Sequence, residues 1–112
     1  MNATLTPTET ATVLRLAGYI SKRDVESILS LLTDMVMKNQ NKIVLNFKNV
    51  SHVSLEGISL LSEKNMRFRS LGGEIKLVGL IPYVVNLFKL VGAFSYFDVV
   101  SSEEEALARF ES

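Results

Sequence analysis

The sequence predicts a single small α/β domain, in which a mixed but mostly parallel sheet of four to five strands is covered by about four helices. Segments typical of strands alternate along the chain with segments typical of helices, whose apolar residues recur every three to four positions. This alternation is characteristic of a parallel sheet with helices packed on it. The chain has 112 residues, which suits one hydrophobic core but not two. Residues 1–112 are therefore expected to form one domain.

The chain is expected to begin with two strands and a helix. Residues 12–17 alternate loosely between apolar and polar side chains and predict a strand, with a shorter strand before it at residues 3–6. Ser21 is followed three positions later by Asp24, which is the spacing of a capping box and marks the start of the first helix. The apolar residues of this helix share one stripe, which indicates packing on a sheet: Val25, Ile28, Leu29, Leu32, Met35 and Val36.

The middle of the chain is expected to form a central strand and a second helix. Residues 43–47 are an almost continuous run of β-branched and aromatic side chains, as in strands that are covered on both faces. A turn is expected at residues 49–53, followed by a second helix from about residue 56 to residue 71, which Gly72 and Gly73 end. The side of this helix that faces the sheet is predicted to carry Ile58, Leu60, Leu61, Phe68 and Leu71.

The last third of the chain continues the alternation of strand and helix. Residues 74–80 predict a strand, and residues 97–100 predict a short final one. Between them, Pro82 suits the first position of a third helix. Ser102, followed by Glu105, has the spacing of a cap for a fourth helix. This order of elements implies right-handed crossovers and a largely parallel sheet.

The composition argues against several classes of function. The chain has 12 basic and 12 acidic side chains, so no overall positive field favours nucleic acid. It has no cysteine and one histidine, His52, which leaves no catalytic triad, metal cluster or cofactor motif to assemble. His52 is expected in the turn before the second helix, exposed or capping a backbone group. We therefore expect no catalytic residues, no metal, no cofactor and no enzyme activity.

The expected location is the cytoplasm. The beginning of the chain lacks the basic and apolar pattern of a secretory signal. The longest apolar runs span only a few residues, far fewer than a membrane-crossing helix needs. Direct insertion into a membrane is therefore not expected.

A phosphate-receiver domain has a similar order of elements and is the rival prediction. Such a domain needs an acidic pair after its first strand and an aspartate after the central strand, because these oxygens hold Mg²⁺. Here Ala17, Gly18 and Tyr19 follow the first strand, and Asn46 lies in the central one. The missing carboxylates exclude a receiver site.

Three stretches of the sequence together match the pattern of a known family. Residues 14–20 resemble an opening strand that ends in a small residue and a glycine. Residues 43–57 resemble a strand, a turn and an Asp-Ser-x-Gly signature, of which the glycine is present. Residues 72–92 resemble the C-terminal half. This order resembles the STAS family of anti-sigma-factor antagonists over nearly the whole chain. The resemblance implies a non-enzymatic regulator that binds a protein, either a serine kinase that acts as an anti-sigma factor or a related signalling assembly. A small subunit of an ABC-type lipid transport complex is the alternative, and a homo-oligomer stays open.

The sequence departs from the family pattern at the phosphorylation site. Family members that a kinase switches carry Asp-Ser-x-Gly at the start of the second helix, with the serine as phosphate acceptor. Aligned through Gly57, the chain has Ser54 in place of the aspartate, Leu55 in place of the acceptor, and Glu56 before the glycine. Asn46 replaces a further aspartate of the pattern. Leucine has no hydroxyl, so the family's acceptor cannot be transferred to Leu55.

Two interpretations of this departure stay open: a constitutive apolar binding surface, or drift in a paralogue that binds elsewhere. Ser54 is the fallback phosphate acceptor, but we expect it to cap the second helix instead. Met66 is predicted on the outer side of that helix, either as an ordinary exposed methionine or as an adaptable apolar anchor of the surface. The predicted partner-binding surface consists of Ser54, Leu55, Glu56, Gly57, Ser59, Ser62 and Met66.

Overall fold

A five-stranded sheet lies at the centre of the molecule. The computed structural model describes residues 1–111, and its strands are β1 (Asn2–Pro7), β2 (Thr12–Ile20), β3 (Lys42–Val53), β4 (Glu74–Val78) and β5 (Asp98–Val100). The strands lie side by side in chain order. β1 is antiparallel to β2, and each of the other neighbouring pairs is parallel. The predicted mixed, mostly parallel sheet is confirmed.

Within residues 1–111, four α-helices cover the two faces of this sheet: α1 (Lys22–Met37), α2 (Leu55–Ser70), α3 (Pro82–Leu90) and α4 (Glu103–Glu111). The buried side chains of α1, α2 and α3 pack with those of the strands in the larger hydrophobic cluster. α4 packs on the opposite face in a second, smaller cluster. A single turn of 3₁₀ helix, Phe94–Tyr96, precedes β5 and was not predicted.

β3 contributes to both hydrophobic clusters because neighbouring residues of a strand face opposite sides of the sheet. Ile43 and Leu45 pack in the cluster under α1, α2 and α3. Val44 packs with Ala106 and Phe110 of α4. The prediction of a central strand that is covered on both faces is therefore confirmed.

The predicted helix starts are confirmed by their hydrogen bonds. Ser21 Oγ accepts a hydrogen bond of 3.1 Å from the backbone N–H of Asp24, and the Asp24 carboxylate accepts one of 2.9 Å from the backbone N–H of Ser21. This second bond holds the pKa of the Asp24 carboxyl below its ordinary value. Ser102 Oγ accepts a bond of 3.1 Å from the backbone N–H of Glu105, and Pro82 begins α3.

Two predictions near the second helix are wrong. Residues 49–53 do not form a turn, because they continue β3 by pairing with the end of β2, which itself reaches Ile20. His52 therefore lies in a strand. Leu71 was expected to face the sheet, but it caps the end of α2 and is 56% exposed. The helical stripe does not extend to this position, because the helix has already ended at Ser70.

Candidate partner-binding surface

The first turn of α2 brings together four residues of the predicted surface. Ser54 precedes the helix in an extended conformation, and Leu55 is the first helical residue, with 40% of its surface exposed. Glu56 is exposed beside it, with its carboxylate 4.0 Å from the ammonium group of Lys22. Gly57 is buried. The first turn therefore presents an apolar side chain and a carboxylate to the solvent.

The hydroxyl and backbone N–H groups of Ser54 are both used by the fold. Ser54 Oγ accepts a hydrogen bond of 3.0 Å from the backbone N–H of Gly57. The backbone N–H of Ser54 donates a bond of 2.9 Å to the carbonyl oxygen of Ile20 at the end of β2. Such a cap satisfies an N–H group that has no partner within the helix. The half-buried Ser54 thus acts as the predicted cap.

Gly57 marks a close approach between α2 and α1. A Cβ atom at this position would lie 2.9 Å from Ser54 Oγ and 3.0 Å from Val25 Cγ2. A larger residue would therefore push against both the cap and the neighbouring helix. Gly57 supports the surface from below, and Leu55 and Glu56 form its exposed part.

The outer side of α2 continues the surface away from Leu55. Ser59 is exposed, Ser62 is half-buried and Met66 is 67% exposed. These positions follow Leu55 at intervals of three or four residues, so they share one side of the helix. At the rise of an α-helix, the stripe from Leu55 to Met66 is about 16 Å long.

An aromatic cluster that the sequence pattern does not reveal lies at the same end of the sheet. The ring of His52 stacks on that of Tyr19 with their centroids 4.7 Å apart, and His52 Nδ1 lies 2.9 Å from the hydroxyl oxygen of Tyr83. Tyr19 is 57% exposed and Tyr83 is 50% exposed. Tyr19 and His52 each stand two positions before a helix cap, Ser21 and Ser54. This shared offset is the one signal in the sequence that could have paired them.

The aromatic cluster and Leu55 lie at the same end of the sheet, where the parallel strands have their carboxyl ends. Tyr19 and His52 lie in the last residues of the parallel strands β2 and β3, where they form a directly opposed pair. Tyr83 lies in the first turn of α3, as Leu55 does in α2. Because the carboxyl ends of parallel strands lead into the following helices, such ends gather on one side of the sheet. The arrangement provides exposed apolar and aromatic contact area.

Asn46 belongs to a different part of the molecule. Asn46 Nδ2 donates a hydrogen bond of 2.6 Å to Glu103 Oε2, and the guanidinium group of Arg15 donates two bonds of 2.8 Å to the same carboxylate. The bond from Arg15 holds the pKa of the Glu103 carboxyl below its ordinary value, although burial acts in the opposite direction. Asn46 therefore fixes the first turn of α4 to the sheet and takes no part in the surface on α2.

The described part of the chain carries neither a metal-binding group nor a membrane span. Within residues 1–111, no three His, Cys, Asp or Glu side chains are arranged to hold a metal ion. No helix in this range combines the length and apolarity needed to cross a membrane.

Comparisons with known proteins point to one family. A family model described as the STAS domain matches residues 2–106. The chain is 28% identical over 97 residues to BtrV of Bordetella bronchiseptica, which is described as a candidate anti-sigma factor antagonist, and the match covers 87% of this chain and 84% of BtrV.

Solved structures share the fold. The anti-sigma factor antagonist SpoIIAA in its unphosphorylated form is similar with a TM-score of 0.80 and 22% identity, over 98% of this chain and 96% of SpoIIAA. Phosphorylated SpoIIAA of Bacillus gives a TM-score of 0.70 at 23% identity, over 96% of this chain and 98% of SpoIIAA. The murine anion transporter Slc26a9 gives a TM-score of 0.78 at 18% identity. The match covers 95% of this chain but only 18% of the length of the transporter. Since the family model covers nearly the whole chain, the protein belongs to the STAS domain family.

Proposed function

We propose that the protein is a non-enzymatic regulator that binds a protein partner in the manner of an anti-sigma-factor antagonist. The proposed partner is a serine kinase that acts as an anti-sigma factor, or a related signalling assembly. Membership of the STAS family and the similarity to BtrV and SpoIIAA support this class of function. The observation that carries the proposal is the exposure of Leu55 at the start of α2. We assign this position to the family's phosphate acceptor from the alignment through Gly57.

The proposed interface consists of the outer side of α2 and the aromatic cluster beside it. Leu55 and Met66 supply exposed apolar area, and methionine adapts its shape to a partner. Exposed tyrosines such as Tyr19 and Tyr83 are enriched among the residues that dominate binding energy. The carboxylate of Glu56, at the rim, would orient the partner more than it would hold it. Ser54, Gly57, Ser59 and Ser62 complete the proposed surface.

We propose further that binding through this surface is constitutive. A phosphate at a helix N-terminus is tolerated by the fold, because free N–H groups and the helix dipole favour negative charge there. Its charge would disturb an apolar partner contact, which is how a kinase would release the partner. Leu55 has no group to phosphorylate, and the hydroxyl of Ser54 is engaged in the cap. Neither residue offers a kinase a free acceptor.

Capture of the partner from the native host tests the proposal. Three baits are compared: the wild-type protein, Leu55→Asp and Leu90→Asp. Leu90 is a matched control, since it is 70% exposed at the end of α3, away from the edge where α2 and α3 begin. Wild type and Leu90→Asp should retain a protein kinase or a signalling assembly, and Leu55→Asp should lose it. Equal capture by the three baits would remove Leu55 from the interface.

A second candidate function is that of a small subunit in an ABC-type lipid transport complex. The fold similarity to a part of the Slc26a9 anion transporter favours it, because a domain of this architecture occurs within a membrane transport protein. The same capture experiment separates the two candidates. Transporter subunits retained by the wild-type bait would support the second function, and a kinase would support the first.

A further inference from the structure

A groove runs between the outer sides of α1 and α2. Both helices have 16 residues, and they lie parallel to each other, because Lys22 and Glu56 meet at their starts while Met37 and Leu71 line one pocket at their ends. The groove is thus about 24 Å long. Its wider part, towards the ends of the helices, has a volume of about 520 Å³ and is lined by the apolar residues Leu29, Val36, Met37, Phe68 and Leu71.

Charges of opposite sign are separated along this groove. Three acidic residues, Glu26, Glu56 and Glu63, line its first half and its middle, together with Leu55, Ser59 and Leu60. Lys22 lies among them and is close only to Glu56. Lys64 and Arg67 line the part towards the helix ends. Among residues 1–111, Glu63, Lys64 and Arg67 form no ion pair within 4.0 Å, so these charges face the solvent over the groove.

The exposure of the groove favours a long occupant over a small one. Met37 is 78% exposed and Leu71 is 56% exposed, so the apolar lining does not close over its contents. Small-molecule pockets typically enclose roughly 70–90% of the ligand surface. An amphipathic helix needs only its apolar face covered, and it binds in open grooves through residues spaced three and four apart.

We propose that this groove binds an amphipathic helix of a partner protein, about 16 residues long, whose charges complement those of the groove. Its apolar stripe packs on Leu29, Val36 and Leu71. Its acidic residues lie beside Lys64 and Arg67, and its basic residues lie beside Glu26, Glu56 and Glu63. Acidic residues stabilise the first turn of a helix and basic residues the last, so the bound helix runs antiparallel to α1 and α2. This inference does not rest on the function proposed above, although the two surfaces share Leu55, Glu56 and Ser59.

Two synthetic peptides of 16 residues test the proposal. Both carry leucine on one helical stripe; the first has glutamate in its first half and lysine in its second half, and the other has the same composition with the charges in reverse order. Fluorescence anisotropy measures their affinities, and backbone amide shifts in NMR spectra locate them. We expect the first peptide to bind about tenfold more tightly. The other peptide either meets like charges along the groove or, bound in the opposite direction, carries lysine in its first turn and glutamate in its last, which destabilises the helix. We also expect its shifts to follow α1 and α2.

Variants of the protein separate this site from the surface at the end of the sheet. The double change Lys64→Glu and Arg67→Glu should weaken binding of the first peptide about tenfold. Arg69→Glu is the matched control, because Arg69 is exposed in the same last turn but does not line the groove. Tyr83→Ala, in the aromatic cluster, should also leave peptide binding unchanged, even where it weakens the natural partner.

Three outcomes would overturn the proposal. The first is equal affinity for the two peptides. The second is a set of shifts outside α1 and α2. The third is a set of amide shifts in α1 and α2 that sodium oleate causes and neither peptide causes. This result would assign the groove to a small amphiphile.

Discussion

Ser54 and Leu55 are adjacent in the sequence, yet they have opposite relations to the fold. The hydroxyl of Ser54 is bonded to the backbone of Gly57, and its N–H group is bonded to the end of β2. The side chain of Leu55 is 40% exposed and contributes only part of its surface to packing. At the scale of single residues, changes at these two positions should therefore affect different properties: stability at Ser54 and binding at Leu55.

Ser54→Ala should lower the free energy of unfolding by about 1 kcal/mol, because the backbone N–H of Gly57 loses its acceptor. Ser54→Asp should retain most of the stability, since aspartate caps a helix as well as serine does. Urea denaturation measures both. Ser59→Ala, at an exposed position of the same helix, is the control and should not destabilise the protein. Equal stabilities of Ser54→Ala and Ser59→Ala would show that the cap contributes nothing.

The protein should carry no phosphate on Ser54 when it is purified from its native host. The reason is that its half-buried hydroxyl accepts the capping hydrogen bond and would have to leave the cap to react. Intact-mass spectrometry with peptide mapping measures this directly. Stoichiometric phosphate on Ser54 would contradict constitutive binding and would assign the switch to the residue before Leu55.

At the scale of elements, the helix starts could be predicted because a cap is local. The donor and the acceptor of each capping bond lie three residues apart, as in Ser21 with Asp24. The end of β3 could not be predicted in this way. Asn49 and Ser51 have turn-forming side chains, but Val50 and Val53 between and beyond them are each 1% exposed. Pairing with β2 decides the conformation, and this pairing joins residues far apart in the sequence.

The candidate surface was predictable to a similar extent. Helical spacing placed Met66 on the outer side of α2, and the structure confirms that it is exposed. The contact between Tyr19, His52 and Tyr83 depends on how β2 pairs with β3 and on where α3 begins, and no local pattern contains this information. Such contacts become visible only once the strands are placed in register.

Leu45→Ala in β3 should lower the free energy of unfolding by roughly 2–5 kcal/mol, because Leu45 is fully buried and its loss leaves a cavity. Leu29→Ala in α1 should cost less, about 1–2 kcal/mol, since Leu29 is only partly buried at the groove. Urea denaturation of both variants checks the order. A larger loss at Leu29 than at Leu45 would contradict the assignment of the buried faces.

The attachment of α4 should depend on pH through Glu103. Its pKa is below the ordinary value of 4.5 in the folded protein, chiefly because Arg15 donates hydrogen bonds to the carboxylate. The group is an acid with a depressed pKa, so its stabilisation is complete above pH 4.5 and is lost as the pH falls through the folded-state pKa. The stability difference between wild type and Glu103→Gln should therefore shrink from neutral pH to about pH 3.

Urea denaturation at several pH values measures this difference. Glu104→Gln is the control, because Glu104 is the exposed neighbour of Glu103 in the same helical turn. A difference for Glu103→Gln that stays constant over the whole range would show that its charge does not hold α4 to the sheet.

At the scale of the whole molecule, helices cover both faces of the sheet and leave side chains exposed at the carboxyl ends of its strands. α1, α2 and α3 cover one face and α4 covers the other. The chain carries no net charge, so a partner must be recognised through local patches. Such a patch is formed by Tyr19 and His52 at the ends of two strands and by Leu55 and Tyr83 at the starts of two helices. The fold thus holds these side chains at one end of the sheet.

Isothermal titration calorimetry of the identified partner against wild type, Leu55→Asp and Leu90→Asp tests this account most directly. The free energy of unfolding of the Leu55→Asp protein should lie within about 1–2 kcal/mol of that of wild type. The loss of one partly exposed leucine costs this much at most, and a carboxylate is favoured at a helix N-terminus. Its affinity should fall by about 100-fold, since an unpaired carboxylate in an interface costs several kcal/mol. Leu90→Asp should bind as wild type does. Wild-type affinity in a folded Leu55→Asp protein would contradict the account.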